Sequence, residues 1–166
     1  MRIRQPESDD AGIADAKLAP HFELGRQGEA LAIEHLTRVG YRIVAANFRL
    51  PIGRNTRNAI VNAEIDVVAY DGPTLCFVEV KTRASDEFAP PQVNVDLRKR
   101  RQIARAARGY RRLFGLVNAS YRYDVVTVVS PFAKQSDGGP RIELLKHFWT
   151  DEKLRKQNWQ EARWDS

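Results

Sequence analysis

Four charged residues, Glu64, Asp66, Glu79 and Lys81, interrupt an otherwise apolar stretch of this 166-residue chain, AEIDVVAYDGPTLCFVEVKTR from Ala63 to Arg83. Ile65, Val67, Val68 and Tyr70 precede Asp71-Gly72-Pro73, and Leu75, Phe77, Val78 and Val80 follow it. β-Branched and aromatic residues on either side of a turn signal predict a hairpin of two strands. Residues two apart on a strand point the same way, so Glu64 is expected to share a face with Asp66, and Glu79 with Lys81. If the two faces coincide, three carboxylates and one ammonium crowd together beside apolar sheet. Like charges in such a place are costly unless a cation offsets them, and a divalent metal ion is the obvious candidate.

That set of groups suits phosphodiester hydrolysis. The reaction calls for a metal on the scissile phosphate, a water made nucleophilic near neutral pH, and positive charge where the phosphorane develops. Hard oxygen ligands favour magnesium or manganese (Mg2+ or Mn2+), and an ammonium can orient water or phosphate. Asp66, followed after a turn by Glu79-Val80-Lys81, resembles the D…(D/E)-x-K signature of restriction-endonuclease-like nucleases. The tripeptide alone does not separate a catalytic pair from an exposed ion pair. The preceding Asp narrows the choice.

The elements that would position these residues follow from periodicity and punctuation. Phe22 to Val39 reads as a helix stopped by Gly40, with Leu24, Gly28, Leu31, Ala32, His35, Leu36 and Val39 on one inward arc. Gly25 and Gly28 are expected to let a strand approach closely. Glu29 falls at the shoulder of the arc, either a surface carboxylate or a further acid reaching the metal site. Tyr41 to Phe48 is expected to be a strand, and residues 51–62 an irregular loop or a flexible hairpin. Val95 to Phe114 predicts a second helix, Tyr121 to Val129 a long central strand, and Arg141 to Phe148 a last strand. The fold class is therefore α/β, a central mixed sheet flanked by helices. The expected layout is a flexible lead-in (1–20), one domain (21–148) and a charged, tryptophan-bearing tail (149–166).

Charge is concentrated in one place. The chain carries a net +6. Residues 95–114 hold eight Lys or Arg against Asp96 alone, so the remainder is close to neutral. On a helical wheel Arg98, Arg101, Arg105, Arg108 and Arg112 share a band, opposite Ile103, Ala106, Tyr110, Leu113 and Phe114. Lys99 lies on the inward arc, either snorkelling from the first turn or serving as a second cation near the scissile phosphate. Five arginines with no interleaved acid repel one another, which points to an anionic partner rather than a solvated face. No apolar run is long enough for a membrane, the start MRIRQPESDD is too polar for a signal peptide, and Cys76 has no disulfide partner. A cytoplasmic protein is expected.

The ensemble resembles a known family. Gly25-x-x-Gly28-Glu29-x-Leu31-Ala32, Asn47-x-Arg49, Glu64-Ile65-Asp66, Phe77-Val78-Glu79-Val80-Lys81-x-Arg83, Lys99 and Tyr123-Asp124-Val125-Val126 look like the bacterial YraN-type family, which is similar to archaeal Holliday junction resolvases. The resemblance implies the restriction-endonuclease-like fold and a metal-dependent endonuclease acting on DNA, branched DNA included. It implies Asp66 and Glu79 as metal ligands, Lys81 as the water- or phosphate-positioning group, and Glu29 as the helix glutamate that completes the site. DNA is implied over RNA as partner, and a homodimer by analogy. The chain departs from the pattern at Ala63, where the family has Gly, and at residues 51–62, which read as an insertion. The rival reading is a nucleic-acid-binding module with this fold and no efficient cleavage.

Overall fold

The computed structural model describes residues 20–83, 94–129 and 139–154, with side chains from Glu23 onward. The expected lead-in, apart from Pro20, lies outside the described residues, as do Trp159 and Trp164. Helix α1 spans Pro20–Arg38, followed by strands β1 (Arg42–Arg54), β2 (Ile60–Asp71) and β3 (Thr74–Arg83). Helix α2 (Leu97–Leu113) then leads to β4 (Tyr121–Val129) and β5 (Arg141–Trp149). The strands form one sheet in the order β1-β2-β3-β4-β5, antiparallel except for the parallel β3–β4 pair. A parallel pair needs a long crossover, and α2 lies within it.

Each sheet face carries its own core. On one, Ile65, Val68, Phe77, Tyr123 and Val125 pack with Ile103, Ala106, Ala107 and Tyr110 of α2. On the other, Val67, Ala69, Val78, Val126 and Val128 pack with Ala32 and Leu36 of α1. Local signals set the helix ends. Asp96 caps α2 by accepting a hydrogen bond from the Lys99 N–H (2.8 Å). Gly40 takes a positive φ of 96° where the chain turns out of α1.

Residues 51–62 form the hairpin, not the irregular loop. β1 runs on to Arg54, which pairs with Ile60. The Asn55 side chain holds the tip, accepting from the Arg57 and Ala59 N–H groups at 3.0 Å each. Pro51 and Gly53 had masked the alternation of Leu50 and Ile52. Ile52 packs against the α2-side core, and Leu50 lies over Gly109, where a Cβ would come within 2.2 Å of Leu50 Cδ2.

Three residues assigned to inward arcs face solvent instead: Val39 (48% exposed), Leu113 (64%) and Phe114 (53%). All lie at or past a last helical turn, where the helix has outrun the sheet beneath it. Phe114 still touches the Tyr110 ring, centroid to centroid 4.5 Å. Trp149, grouped with the tail by the sequence, closes β5 and is buried against Tyr123, their rings stacked at 4.8 Å.

The two α1 glycines differ. A Cβ on Gly28 would sit 2.8 Å from Thr82 Cβ and closer still to the Thr82 hydroxyl and methyl, whereas one on Gly25 meets nothing within 4 Å. The close neighbour of Gly28 is thus a side chain, and Gly25 has no close neighbour at all. Gly28→Ala should cost about 1–3 kcal/mol by overpacking, and Gly25→Ala should add roughly 0.5–1 kcal/mol by removing helix-interior glycine. Urea denaturation of the two variants checks the opposite signs.

Candidate active site

Pairing between β2 and β3 runs from Asp71↔Thr74 to Val67↔Val78. Beyond it the strands part, while β3 stays paired with β4 as far as Arg83↔Val129. Asp66 and Glu79 stand at the fork. The Val80 N–H, with no β2 carbonyl opposite, donates to Asp66 Oδ2 at 2.7 Å. One carboxylate thus replaces a rung of the sheet.

Glu79 is almost wholly buried, at 2% exposure. Two ammonium groups neutralise it: Lys81 Nζ lies 2.9 Å from Oε1 and Lys99 Nζ 3.3 Å from Oε2. Lys99 comes from the first turn of α2, so its inward position on the wheel holds. Oε2 nevertheless makes no hydrogen bond of good geometry, although Lys99 and the Asp66 carboxyl both stand within reach of Glu79. The ion pair is long and poorly directed, and the oxygen keeps unsatisfied acceptor capacity. Burial, then the charge of Glu79, pushes the Asp66 carboxyl up to about 7, against the opposing pull of the Val80 N–H and Lys99. Burial works against the Lys99 ammonium too, but the charges of Glu79 and Asp66 outweigh it and hold its pKa above the ordinary value.

Two expected partners are not gathered here. Glu64 does not share a face with Asp66, because the alternation of β2 slips next to it. Ile65 and Val68 both belong to the α2-side core, and Val67 between them to the α1 side. Opposite the slip, Asn47 of β1 takes a positive φ of 52°. Glu64 pairs with Arg49 across the hairpin. Glu29 is half-buried on α1, which packs through Gly28 against Thr82, one residue and so one sheet face away from Lys81. Among the described residues no three His, Cys, Asp or Glu side chains are grouped to hold a metal ion, so Glu29 does not join Asp66 and Glu79 in this structure.

The arginines divide as well. Arg101, Arg105, Arg108 and Arg112 line a groove of about 740 Å³ with Arg111, which the wheel had left out. Arg98 does not line it. A second buried charge cluster escaped the sequence reading. Asp124, fully buried, accepts from Tyr41 Oη, Arg122 Nε and the His147 N–H, each at 3.0 Å. Arg122 also reaches Asp71. The signal was present: Arg122 and Asp124 are two charges two residues apart in an apolar strand, the pattern that exposed Glu79 and Lys81.

A five-stranded mixed sheet with α1 on one face and α2 on the other is the restriction-endonuclease-like fold. Residues 28–128 match the uncharacterised protein family UPF0102, the YraN-type family of the PD-(D/E)xK superfamily, and the chain belongs to it. A UPF0102 protein of Chlorobium limicola is 43% identical over 111 residues, 67% of this chain and 78% of its own length. Those of Koribacter versatilis and Geobacter sulfurreducens are 37% identical over 137 residues and 42% over 124. They align with 82% and 74% of this chain, and with 86% and 84% of their own lengths. Among the described residues no helix is long and apolar enough to cross a membrane.

The raised Asp66 pKa makes a stability prediction for the metal-free protein. Between the ordinary carboxyl value and about 7, the unfolded chain has released this proton while the folded chain still holds it. Stability therefore falls as pH rises through that window and returns as pH falls. Asp66→Asn, which keeps an acceptor for the Val80 N–H, should remove up to about 1.4 kcal/mol per pH unit of that slope. Denaturant titrations from pH 4 to 8 in chelator check it, and parallel profiles would refute it.

Proposed function

We propose that this protein is a metal-dependent endonuclease that hydrolyses phosphodiester bonds in DNA, with branched or junction DNA as the substrate to test first. The observation that carries the reading is the Asp66–Glu79 pair at the β2–β3 fork, with Asp66 half-buried and Glu79 buried and incompletely hydrogen-bonded beside Lys81 and Lys99. A buried acid whose oxygen makes no hydrogen bond of good geometry adds little to folding and is hard to explain as structure alone.

The donor set fits a hard divalent cation. Asp66 and Glu79 would hold Mg2+ or Mn2+, and two carboxylates suffice because magnesium keeps several waters and shares substrate phosphate oxygens. When bound, the ion supplies charge to the scissile phosphate and lowers the pKa of an attacking water. The protein's own groups do the rest. Asp66 keeps its link to the Val80 N–H (2.7 Å), which fixes the carboxylate orientation. Lys81, whose side chain is 34% exposed, would orient water or meet charge on the phosphorane oxygens. Lys99 and the arginines of α2 would hold the strand by its phosphates, without reading bases. A homodimer would suit a junction with two equivalent strands, and the cytoplasm fits a DNA substrate.

A binding module without cleavage remains the competing reading, favoured by one fact: Glu79 is already neutralised by two lysines. Cleavage of duplex, single-stranded and four-way-junction DNA in magnesium, manganese and chelator separates the two. The endonuclease cuts only with metal, and Asp66→Ala abolishes cutting. Lys81→Ala should leave DNA affinity nearly unchanged yet slow cleavage by about a hundredfold or more, the scale for one preorganised electrostatic group. Lys81→Arg should not restore it, since a planar guanidinium cannot occupy the ammonium position. Affinity and rate falling together, or no cleavage with any metal, would leave the binding module standing.

A further inference from the structure

We infer that the arginine groove along α2 is a second DNA subsite, one that holds a duplex arm by its phosphates and reaches about four to five base pairs from the Asp66–Glu79 pair, at 3.4 Å per pair. This rests on the nucleic-acid part of the proposed function, and not on cleavage.

The groove is built for anions. Its wall carries Arg101, Arg105, Arg108, Arg111 and Arg112. The acid lining it among the described residues, Asp151, is already engaged by neutral donors. Tyr121 Oη gives it a hydrogen bond of 2.7 Å on one oxygen and Tyr123 Oη one of 3.0 Å on the other. Among the described residues no carboxylate pairs with Arg105, Arg108 or Arg112, all of them exposed. Asp151 keeps its negative charge, since a phenol does not neutralise it, but one carboxylate against this row leaves the groove net positive. Arg111 is fixed rather than free. Its Nε donates to the Leu116 carbonyl at 3.3 Å, another nitrogen reaches the Val117 carbonyl, and its guanidinium lies 3.8 Å over the Tyr121 ring. That contact sets a floor under the exposed arginines.

The length of the row argues for a polymer. Arg101 to Arg112 covers about 16 Å of helix at 1.5 Å per residue, longer than one phosphate and comparable to about five base-pair steps of duplex axis at 3.4 Å. Two independent measures give the separation from the candidate active site. Along α2, Lys99 beside Glu79 and Arg111 beside Tyr121 are twelve residues apart, about 18 Å. Along the sheet, Tyr121 pairs with Leu75, four residues from Glu79, about 13 Å at 3.3 Å per residue. The helix thus acts as a ruler between the two places.

The test uses four-way junctions with arms closed by loops, either 4 or 12 base pairs long, with binding to the full chain measured by fluorescence anisotropy in chelator. Arg112→Ala should weaken the 12-base-pair junction about threefold and flatten its salt dependence by about one unit of slope, while the 4-base-pair junction changes less than about 1.5-fold. Equal weakening at both lengths would mean bulk attraction and overturn the subsite, as would no weakening at either. A length-specific loss in a protein that cuts nothing with magnesium or manganese would uphold the subsite and dismiss the nuclease. Failure of the parent chain to bind either junction would overturn both.

Discussion

The burial of Glu79 is the constraint around which the rest is arranged. A carboxylate at 2% exposure must be neutralised or protonated, because a lone buried charge costs several kcal/mol. Lys81 pairs with one oxygen, and a second ammonium from another element, Lys99, pairs with the other. That pairing brings the first turn of α2 over the β2–β3 fork, with Asp96 capping the helix so that Lys99 starts in place. The fork follows from the same demand. With β2 and β3 still paired beyond Val67 and Val78, there would be no gap for two carboxylates, and the Val80 N–H would face a carbonyl instead of Asp66. Strand divergence, helix placement and the raised Asp66 pKa are one arrangement.

The molecule contains a second buried acid, and the contrast between the two separates structure from chemistry. Asp124 is fully buried and receives a phenol, a guanidinium and a backbone N–H. Every partner belongs to a different strand position or element, so the cluster ties the end of α1 to β4 and β5. Lys146 and Arg122, both hydrogen-bonded to Asp71, extend it to the β2–β3 turn and lower that carboxyl's pKa. A satisfied network of this sort rigidifies and specifies a packing. Glu79 has the opposite character: charge-compensated, but with an oxygen that no donor satisfies. The sheet is clamped around Asp124 on its α1 face and held open at Glu79 on its α2 face, one register step away.

The hairpin strands, both helices and their order were legible because apolar alternation and single glycines mark them. Asp66, Glu79 and Lys81 were legible for the complementary reason, as charges where the alternation demands apolar residues. What the sequence concealed depends on departures from ideal periodicity. Strand parity placed Glu64 with Asp66, but the slip opposite Asn47 moves Glu64 to the other side, and no composition rule marks an asparagine for positive φ in mid-strand. Helix parity placed Glu29 within reach of the site, although the sheet stands between its helix and the α2 face. Leu113 and Phe114 satisfied the wheel and are exposed all the same, since a wheel carries no information about where the sheet ends. Arg111 was set aside because the wheel measures angle alone, whereas its neighbour Tyr121 comes from β4.

The position of α2 also bears on why two kinds of cation share one helix. Lys99 faces inward near the fork, and the arginines face the groove and solvent. The division follows from hydration and geometry. An ammonium is compact, so it fits beside a buried carboxylate at the fork, where a planar guanidinium would need a wider cleft. Guanidinium groups are weakly hydrated and present several donors, so they can grip phosphates without giving up much water. Exchanging the two types would leave the net charge of α2 unaltered and yet undo both ends of it. What the helix contributes is therefore a fixed spacing between the Lys99 ammonium beside Glu79 and the arginines that line the groove, set by the rise per residue, and no flexible tail of the same composition could set that spacing.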